Sequence, residues 1–139
     1  MKNIFRKIIF TSFIFSFAFR VFAPTCGSFD LVRIAPVEPF KDLIQAVGMV
    51  ETQYDTLAYN PLEGAVGYSQ IRPIRLEDYN ARTGSTYSMN DLFNYKISEK
   101  IFLYYAAEIG PYNFERIAKT WNGSGKGTIQ YWEQVKRFL

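Results

Sequence analysis

After Phe40, apolar residues recur every three or four positions through most of the chain, and this spacing constrains the fold more than any other feature of the sequence. Such spacing puts apolar side chains on one face of an α-helix, whereas a strand would need strict alternation. It predicts helices over residues 40–54, 68–79, 96–109, 114–121 and 128–138, with a short helical turn at 88–92. Residues 55–67, rich in turn-forming residues, are predicted to be a loop. We therefore expect one mainly α domain over residues 40–139.

Residues 1–23 are predicted to be an export signal rather than part of this domain. Three basic residues occur within the first seven positions, and an apolar run follows from residue 8 to residue 19. Ala23 is a small residue at a possible cleavage site, but Pro24 follows it directly, so an uncleaved membrane anchor is the alternative. Residues 24–39 contain three prolines and are predicted to be a linker. We expect an exported protein of the periplasm or cell envelope that meets the membrane only through this leader.

Charge and residue usage exclude several classes of function. Four of the 16 basic side chains precede residue 24, where no acidic residue occurs, so the rest of the chain has 12 basic and 13 acidic side chains. Nucleic-acid binding is not expected, because phosphate contacts require a basic surplus. The chain has no histidine and a single cysteine, Cys26, which excludes Ser-His-Asp and Cys-His catalysis, HExxH zinc sites and an intrachain disulfide. We expect neither a metal nor a cofactor, and chemistry is left to carboxylates, amides and hydroxyls.

Glu51 is the carboxylate that the helical pattern singles out. It lies on the apolar stripe of the first predicted helix, near the end of that helix. Loss of hydration on an apolar face disfavours the charged form and raises the pKa of a carboxyl group. A carboxylic acid that stays protonated at neutral pH can protonate the leaving oxygen of a glycosidic bond. The alternative is an acid at a helix boundary that reaches either solvent or an arginine.

Four short motifs, beginning with Glu51, follow one another along the chain. They are Glu51-Thr52, Gly67-Tyr68-Ser69-Gln70, Thr120-Trp121-Asn122-Gly123 and Tyr131-Trp132-Glu133-Gln134-Val135. Their order and gaps resemble the lytic transglycosylase family of the lysozyme superfamily, of the soluble-transglycosylase (SLT) type. That family has Glu-Ser, Gly-Leu-Met-Gln, Ala-Tyr-Asn-x-Gly and Tyr-Val-x-Lys-Val at these places. The resemblance covers residues 40–139.

The resemblance implies a compact, lysozyme-like (goose-type) fold with a substrate cleft, in which Glu51 is the catalytic acid and base. It implies a glycan-binding role for a further set of residues, namely Thr52, Gly67, Tyr68, Ser69, Gln70, Asn122 and Tyr131. The expected reaction cleaves the β-1,4 bond between N-acetylmuramic acid and N-acetylglucosamine in peptidoglycan and leaves a 1,6-anhydro end. Exposed aromatic side chains are expected to stack on sugar faces, with Tyr54, Tyr59, Tyr68 and Trp121 as candidates.

This chain departs from the family pattern at several motif positions. Thr52 keeps the hydroxyl of the usual serine, whereas Tyr68 and Ser69 replace leucine and methionine and make that cleft wall more polar. In the other two motifs, Thr120-Trp121 replaces Ala-Tyr and Gln134 replaces lysine.

Two other functions fit the sequence. The first is a lysozyme-type hydrolase of the same bond, for which Asp55 or Glu63 would be the second carboxylate. The second is a catalytically silent peptidoglycan-binding or assembly module of an envelope-spanning secretion or conjugation machine. In each case the expected partner is a peptidoglycan strand.

Overall fold

Five α-helices and one short hairpin make up residues 38–139, the part of the chain that the computed structural model describes. The helices are α1 (Lys41–Thr52), α2 (Pro73–Thr83), α3 (Tyr95–Ile109), α4 (Phe114–Asn122) and α5 (Gly127–Val135). The hairpin consists of β1 (Tyr59–Asn60) and β2 (Ala65–Val66), and 3₁₀ turns lie at Met89–Phe93 and Lys136–Phe138. The mainly α prediction is confirmed. The predicted leader and residues 24–37 of the predicted linker lie outside the described residues.

The core forms where the buried faces of α1, α3, α4 and α5 meet. Leu43 and Val47 of α1 are fully buried, and so are Ile101 and Phe102 of α3. Helix α5 packs against both α4 and α1, while α3 packs against α4 and the first 3₁₀ turn. Burial of these apolar side chains is the main force that holds the helices together. No helix within residues 38–139 is long and apolar enough to span a membrane.

Helix α1 ends two residues earlier than its apolar pattern predicts. Thr52 is its last residue, and Gln53 and Tyr54 both have left-handed backbone conformations, with φ of 54° and 71°. The N–H groups at this end bond back to the carbonyls of Gly48 and Met49 and thereby cap the helix. Tyr54 therefore leaves the buried stripe and is 51% exposed.

The second predicted helix begins at Pro73 instead of residue 68. Pro73 is the first helical residue, a position that suits proline because its missing N–H has no helical partner there. Inside a longer helix, its ring would collide with the carbonyl four residues earlier. Residues 67–70 instead form a tight turn that is closed by two backbone hydrogen bonds between Val66 and Ile71, each 3.0 Å long. At the other end, Gly84 caps the helix after Thr83.

The predicted loop at 55–67 contains the hairpin. Tyr59 pairs with Val66 and Asn60 with Ala65 in antiparallel register. Each strand has only two residues, which is too short for an alternating pattern to be recognised. The hairpin matters for the site, because it carries Glu63 in its turn and leads directly into the tight turn before α2.

Candidate active site

Glu51 and Tyr131 are brought together by the packing of α1 against α5. The Tyr131 hydroxyl donates a hydrogen bond of 2.7 Å to Glu51 Oε1, although the two residues are 80 positions apart. Tyr131 is buried on α5, and Glu51 is partly buried in the last turn of α1. The bond fixes one carboxylate oxygen and stabilises its charged form, since hydrogen bonds to ionised acceptors are strong.

The surroundings of Glu51 raise its pKa above the ordinary value of 4.5. Desolvation by burial is the largest cause of the shift. Glu63 adds to it by charge repulsion, whereas the hydrogen bond from Tyr131 and the positive charges of Arg72 and Arg75 lower the pKa. Because burial outweighs the opposing effects, Glu51 keeps its proton to higher pH than a solvated glutamate does, as a general acid requires.

A polar cavity of about 410 Å³ opens beside Glu51. Its walls come from the end of α1, the hairpin, the tight turn before α2 and the loop between α4 and α5. The lining residues are Glu51, Glu63, Gln70, Arg72, Trp121, Asn122, Gly123 and Ser124. Of the residues predicted for the site, Glu51, Gln70 and Asn122 therefore share one cavity, and Tyr131 contacts Glu51.

Gln70 reaches the cavity from a strained backbone position. Its φ is 51°, in the left-handed region that residues with a side chain seldom adopt. Its amide nitrogen donates to the carbonyl of Gly67 at 3.1 Å and more weakly to that of Ala58 at 3.4 Å. These bonds hold the side chain against the turn and leave its oxygen as the atom that can accept a hydrogen bond from a ligand.

The side chains of Thr52, Tyr68 and Ser69 do not line the cavity but contact other parts of the domain. The Thr52 hydroxyl donates to the carbonyl of Tyr68 at 3.0 Å and so ties the tight turn to the end of α1. Ser69 is fully buried, and its hydroxyl bonds to that of Ser98 on α3 at 2.9 Å. Its side chain lies in the core, so a direct contact with substrate does not fit its position. These residues therefore support the site without lining it.

The Tyr68 ring packs on α1, where Gly48 leaves room for it. A Cβ at Gly48 would lie 2.1 Å from atoms of this ring, so only glycine fits there. The ring also packs edge-on against Tyr95 and is 6% exposed. Burial raises the pKa of Tyr68 to about 12. This tyrosine is therefore a core residue and not a platform for a sugar.

Gly67 is required by a close approach within the protein. Its φ is 76°, and a Cβ built there would lie 2.2 Å from the carbonyl oxygen of Leu92 in the first 3₁₀ turn. The sequence predicts that this glycine lets the backbone approach a sugar. In the structure its lack of a side chain lets the tight turn sit against the 3₁₀ turn, and it is not among the cavity-lining residues.

Trp121 is held in the core, although its edge reaches the cavity. It is 4% exposed, and its indole N–H donates to the carbonyl of Ser69 at 2.9 Å. The guanidinium of Arg75 lies 4.1 Å from the centre of the indole ring. Trp121 thus has no open face for a sugar. Tyr54 and Tyr59 are 51% and 61% exposed, so their rings are accessible for stacking on a sugar.

Two residues that line the cavity, Arg72 and Ser124, are not predicted from the sequence, and Arg72 is the charged one of the two. Its Nε lies 3.3 Å from Glu63 Oε2, and its Nη2 donates to the carbonyl of Asn122. Glu63, one of the two candidates for the second carboxylate of a hydrolase, lines the cavity. Asp55, the other candidate, accepts a hydrogen bond from the Leu57 N–H in its own loop. The feature of the sequence that could have indicated Arg72 as a site residue is its position two residues after Gln70.

Residues 38–139 contain no group of three or more histidine, cysteine, aspartate or glutamate side chains placed to hold a metal ion. The arrangement suits general acid chemistry. The carboxyl group of Glu51 has a raised pKa, is oriented by Tyr131, and lies beside a polar cavity that is lined by amide residues and an ion pair.

Comparisons with family models, with curated proteins and with solved structures found no match to this chain.

Proposed function

We propose that this protein is an exported peptidoglycan lytic transglycosylase with a lysozyme-like fold and a substrate cleft at Glu51. The observation that carries the proposal is the Glu51–Tyr131 hydrogen bond at the polar cavity, which Gln70 and Asn122 also line. Residues from all four family-like motifs contribute to the cavity or to its support. The assignment of the chain to the periplasm or cell envelope, and of an envelope-spanning machine as partner, stays a prediction from the sequence.

The proposed reaction uses one carboxyl group twice. Protonated Glu51 donates its proton to the oxygen that links N-acetylmuramic acid to N-acetylglucosamine, and the bond from C1 of the muramic residue to that oxygen breaks. The resulting Glu51 carboxylate then takes the proton from the C6 hydroxyl of the same muramic residue. O6 bonds to C1, which gives the 1,6-anhydro end and restores protonated Glu51.

The neighbouring side chains suit these two steps. Burial favours the protonated form that begins the reaction, and the Tyr131 hydroxyl stabilises the carboxylate that exists between the steps. Gln70 and Asn122 carry amides that can bind the hydroxyl and N-acetyl groups of the sugars. No second carboxylate is required.

A hydrolase is the second candidate, because Glu63 lines the same cavity as Glu51. In that reaction the Glu63 carboxylate would activate a water molecule against C1. Its ion pair with Arg72 stabilises the charged form that a base needs, but also occupies the carboxylate. We favour the transglycosylase because burial favours the acid form of Glu51 and the Tyr131 hydrogen bond favours its carboxylate, so that one group can serve both proton transfers.

Mass spectrometry of the fragments released from purified peptidoglycan sacculi tests the proposal. A transglycosylase releases fragments that end in 1,6-anhydro-muramic acid, and these are lighter than reducing ends by one water molecule. Release of reducing ends alone would identify a hydrolase. Binding of the protein to sacculi without any release would favour the silent binding or assembly module.

A further inference from the structure

Arg72 is held on one side and open to exchange on the other. On the inner side, its Nη2 donates to the backbone carbonyl of Asn122, which fixes the guanidinium against the loop between α4 and α5. On the outer side, its Nε faces Glu63 at 3.3 Å. The side chains of Arg72 and Glu63 are 38% and 51% exposed, respectively. An ion pair this exposed is weak, because water screens it, so another carboxylate can replace Glu63.

Arg75 has the opposite character. Its guanidinium donates to the carbonyls of Trp121 at 3.0 Å and Thr120 at 3.2 Å, and it also lies over the Trp121 ring. These contacts commit Arg75 to packing α2 against α4. Arg75 lines a different cavity from that of Glu51. Arg72 is therefore the arginine of this pair that can bind a ligand in the Glu51 cavity.

The ligand that fits Arg72 is a carboxylate. A guanidinium presents N–H groups in a planar fork that matches the two oxygens of a carboxylate. The rest of the cavity supplies amides and two acidic groups, Glu51 and Glu63, so Arg72 is the lining residue with a full positive charge. A carboxylate on Arg72 would lie in the same cavity as the bond that Glu51 protonates, close to the cleavage point.

We propose that Arg72 binds a carboxylate of the glycan substrate in exchange for Glu63, and thereby selects strands that carry this charge beside the cleaved bond. The proposal rests on the proposed function of the Glu51 site. Two groups in peptidoglycan supply such a carboxylate. One is the lactyl group of muramic acid after its peptide has been removed, and the other is a carboxylate of an attached peptide.

The two sources imply different places in a reaction sequence. In peptide-bearing strands, the lactyl group is part of an amide bond and is neutral. Its carboxylate is free only after an amidase has hydrolysed that bond. If Arg72 binds the lactyl group, this protein acts after such an amidase; if it binds a peptide carboxylate, it acts on strands that still carry peptides.

The test compares glycan strands that differ only in charge. Peptide-free and peptide-bearing strands are each prepared with free carboxylates and with carboxylates converted to neutral methylamides. We measure kcat/KM for each form and take the ratio of the charged to the neutral form. For the wild-type protein we expect a ratio of about ten or more, since hydrogen bonds to a charged group are stronger than those to a neutral one. The strand type with this ratio identifies the source.

The variants separate Arg72 from general effects of charge. Arg72→Gln should bring the ratio close to one, and Glu63→Gln should raise it because the competing carboxylate is gone. Arg72→Lys keeps the charge but not the fork and should give an intermediate ratio, which covers the case that Arg72→Gln does not fold. Arg82→Gln is the matched control, because Arg82 also forms exposed ion pairs, with Asp78 and Glu108, but does not line the Glu51 cavity.

Ratios near one in the wild-type protein for both strand types would overturn the proposal. An equal fall of the charged-to-neutral ratio in Arg72→Gln and Arg82→Gln would also overturn it. Calorimetry of Glu51→Gln with the same strands measures carboxylate preference without cleavage. Preferential binding of charged strands by Glu51→Gln, together with a wild-type protein that cuts none of them, would retain the role of Arg72 and reject the transglycosylase. Cleavage without any preference would do the reverse.

Discussion

At the scale of single residues, the proposed reaction depends on two opposing effects on the pKa of Glu51. Burial raises its pKa and favours the acid that starts the reaction. The Tyr131 hydrogen bond lowers the pKa and favours the base that completes it. A group that serves both steps works best when neither form is strongly preferred, because each step then begins in an accessible protonation state.

Glu51→Gln should abolish most of the activity while leaving the protein folded. The amide has nearly the same shape but can neither donate the required proton nor take one back, and loss of such help typically lowers the rate by about 10² to 10⁴. The assay is release of anhydro-muropeptides from sacculi. A folded variant that works at near wild-type rate would show that Glu51 is not the catalyst.

The same substitution should change how stability depends on pH. Because the folded-state pKa of Glu51 is raised, its favourable contribution is present below the ordinary pKa of 4.5 and is lost as pH rises through the folded value. Glu51→Gln removes this dependence and should therefore be most stabilising, relative to wild type, at neutral and alkaline pH. Thermal melts over a pH series measure the difference, and a variant that is less stable than wild type throughout would contradict it.

Tyr131→Phe should move the alkaline limb of the pH–rate profile to higher pH. The substitution removes the hydrogen bond that lowers the pKa of Glu51, so the carboxyl group keeps its proton to higher pH. The rate should fall by about tenfold, since a hydrogen bond to a charged group is lost. The measurement is kcat/KM against pH.

Tyr105→Phe is the control for this experiment, because the Tyr105 hydroxyl bonds to Asp78 and the Arg75 carbonyl and not to Glu51. Its alkaline limb should stay in place. If both variants shift the limb equally, the effect does not come from the Tyr131 hydrogen bond.

At the scale of elements, the tight turn before α2 is fixed by its contact with the first 3₁₀ turn. Gly67→Ala should destabilise the protein by roughly 2–4 kcal/mol, because it adds both a strained φ and a methyl group 2.2 Å from the Leu92 carbonyl oxygen. Gly84→Ala is the matched control: φ there is 69°, but nothing lies within 4 Å of the added carbon. It should cost about 1 kcal/mol from the backbone alone. Equilibrium unfolding in denaturant measures both, and equal losses would mean that the Leu92 contact is unimportant.

The helices were predictable because their pattern is local in the sequence, whereas the turns were not because they depend on distant contacts. Helices α3 and α4 follow the apolar spacing to within one residue, because that spacing is set by the chain itself. Helix α5 ends at Val135, three residues before the predicted end, and the 3₁₀ turn Lys136–Phe138 follows it. The left-handed backbone at Gln70 and the close approach at Gly67 depend on residues distant in sequence, among them Leu92. Pro73 did carry a local signal for a helix start, which the apolar run from residue 68 obscured.

In the candidate site, too, the residues that follow a local pattern were predictable, and those defined by distant contacts were not. Glu51 was predictable from its place on an apolar stripe, and the motif resemblance assigned Tyr131 to the same site as a glycan-binding residue, whereas the structure places its hydroxyl on Glu51. The burial of Ser69 against Ser98 was not predictable, because in sequence Ser69 stands beside Gln70 in the same motif. Arg72 looked like any surface arginine until the structure placed Asn122 and Glu63 on either side of it.

At the scale of the whole molecule, the cavity joins parts of the chain that are far apart in sequence. Glu51 lies in the last turn of α1, Glu63 belongs to the hairpin, and Asn122 ends α4. These parts are also joined by hydrogen bonds between core residues, including the one from Trp121 to Ser69, which are 52 positions apart. A ligand that contacts several of these walls would therefore stabilise the whole domain against unfolding and not only one loop.

Glycan strands should for this reason raise the melting temperature of the protein. The experiment uses Glu51→Gln, so that the strands are bound but not cut. At a concentration of about 100 times Kd, binding to the folded state alone adds about 2.7 kcal/mol. For a domain of about 100 residues, this corresponds to a rise in Tm on the order of 10 °C. Cello-oligosaccharides of equal length, which lack N-acetyl and lactyl groups, are the control and should give a much smaller rise. Equal shifts with both sugars would mean that the cavity at Glu51 does not recognise the groups specific to peptidoglycan. No shift with either would mean that it does not bind the strands.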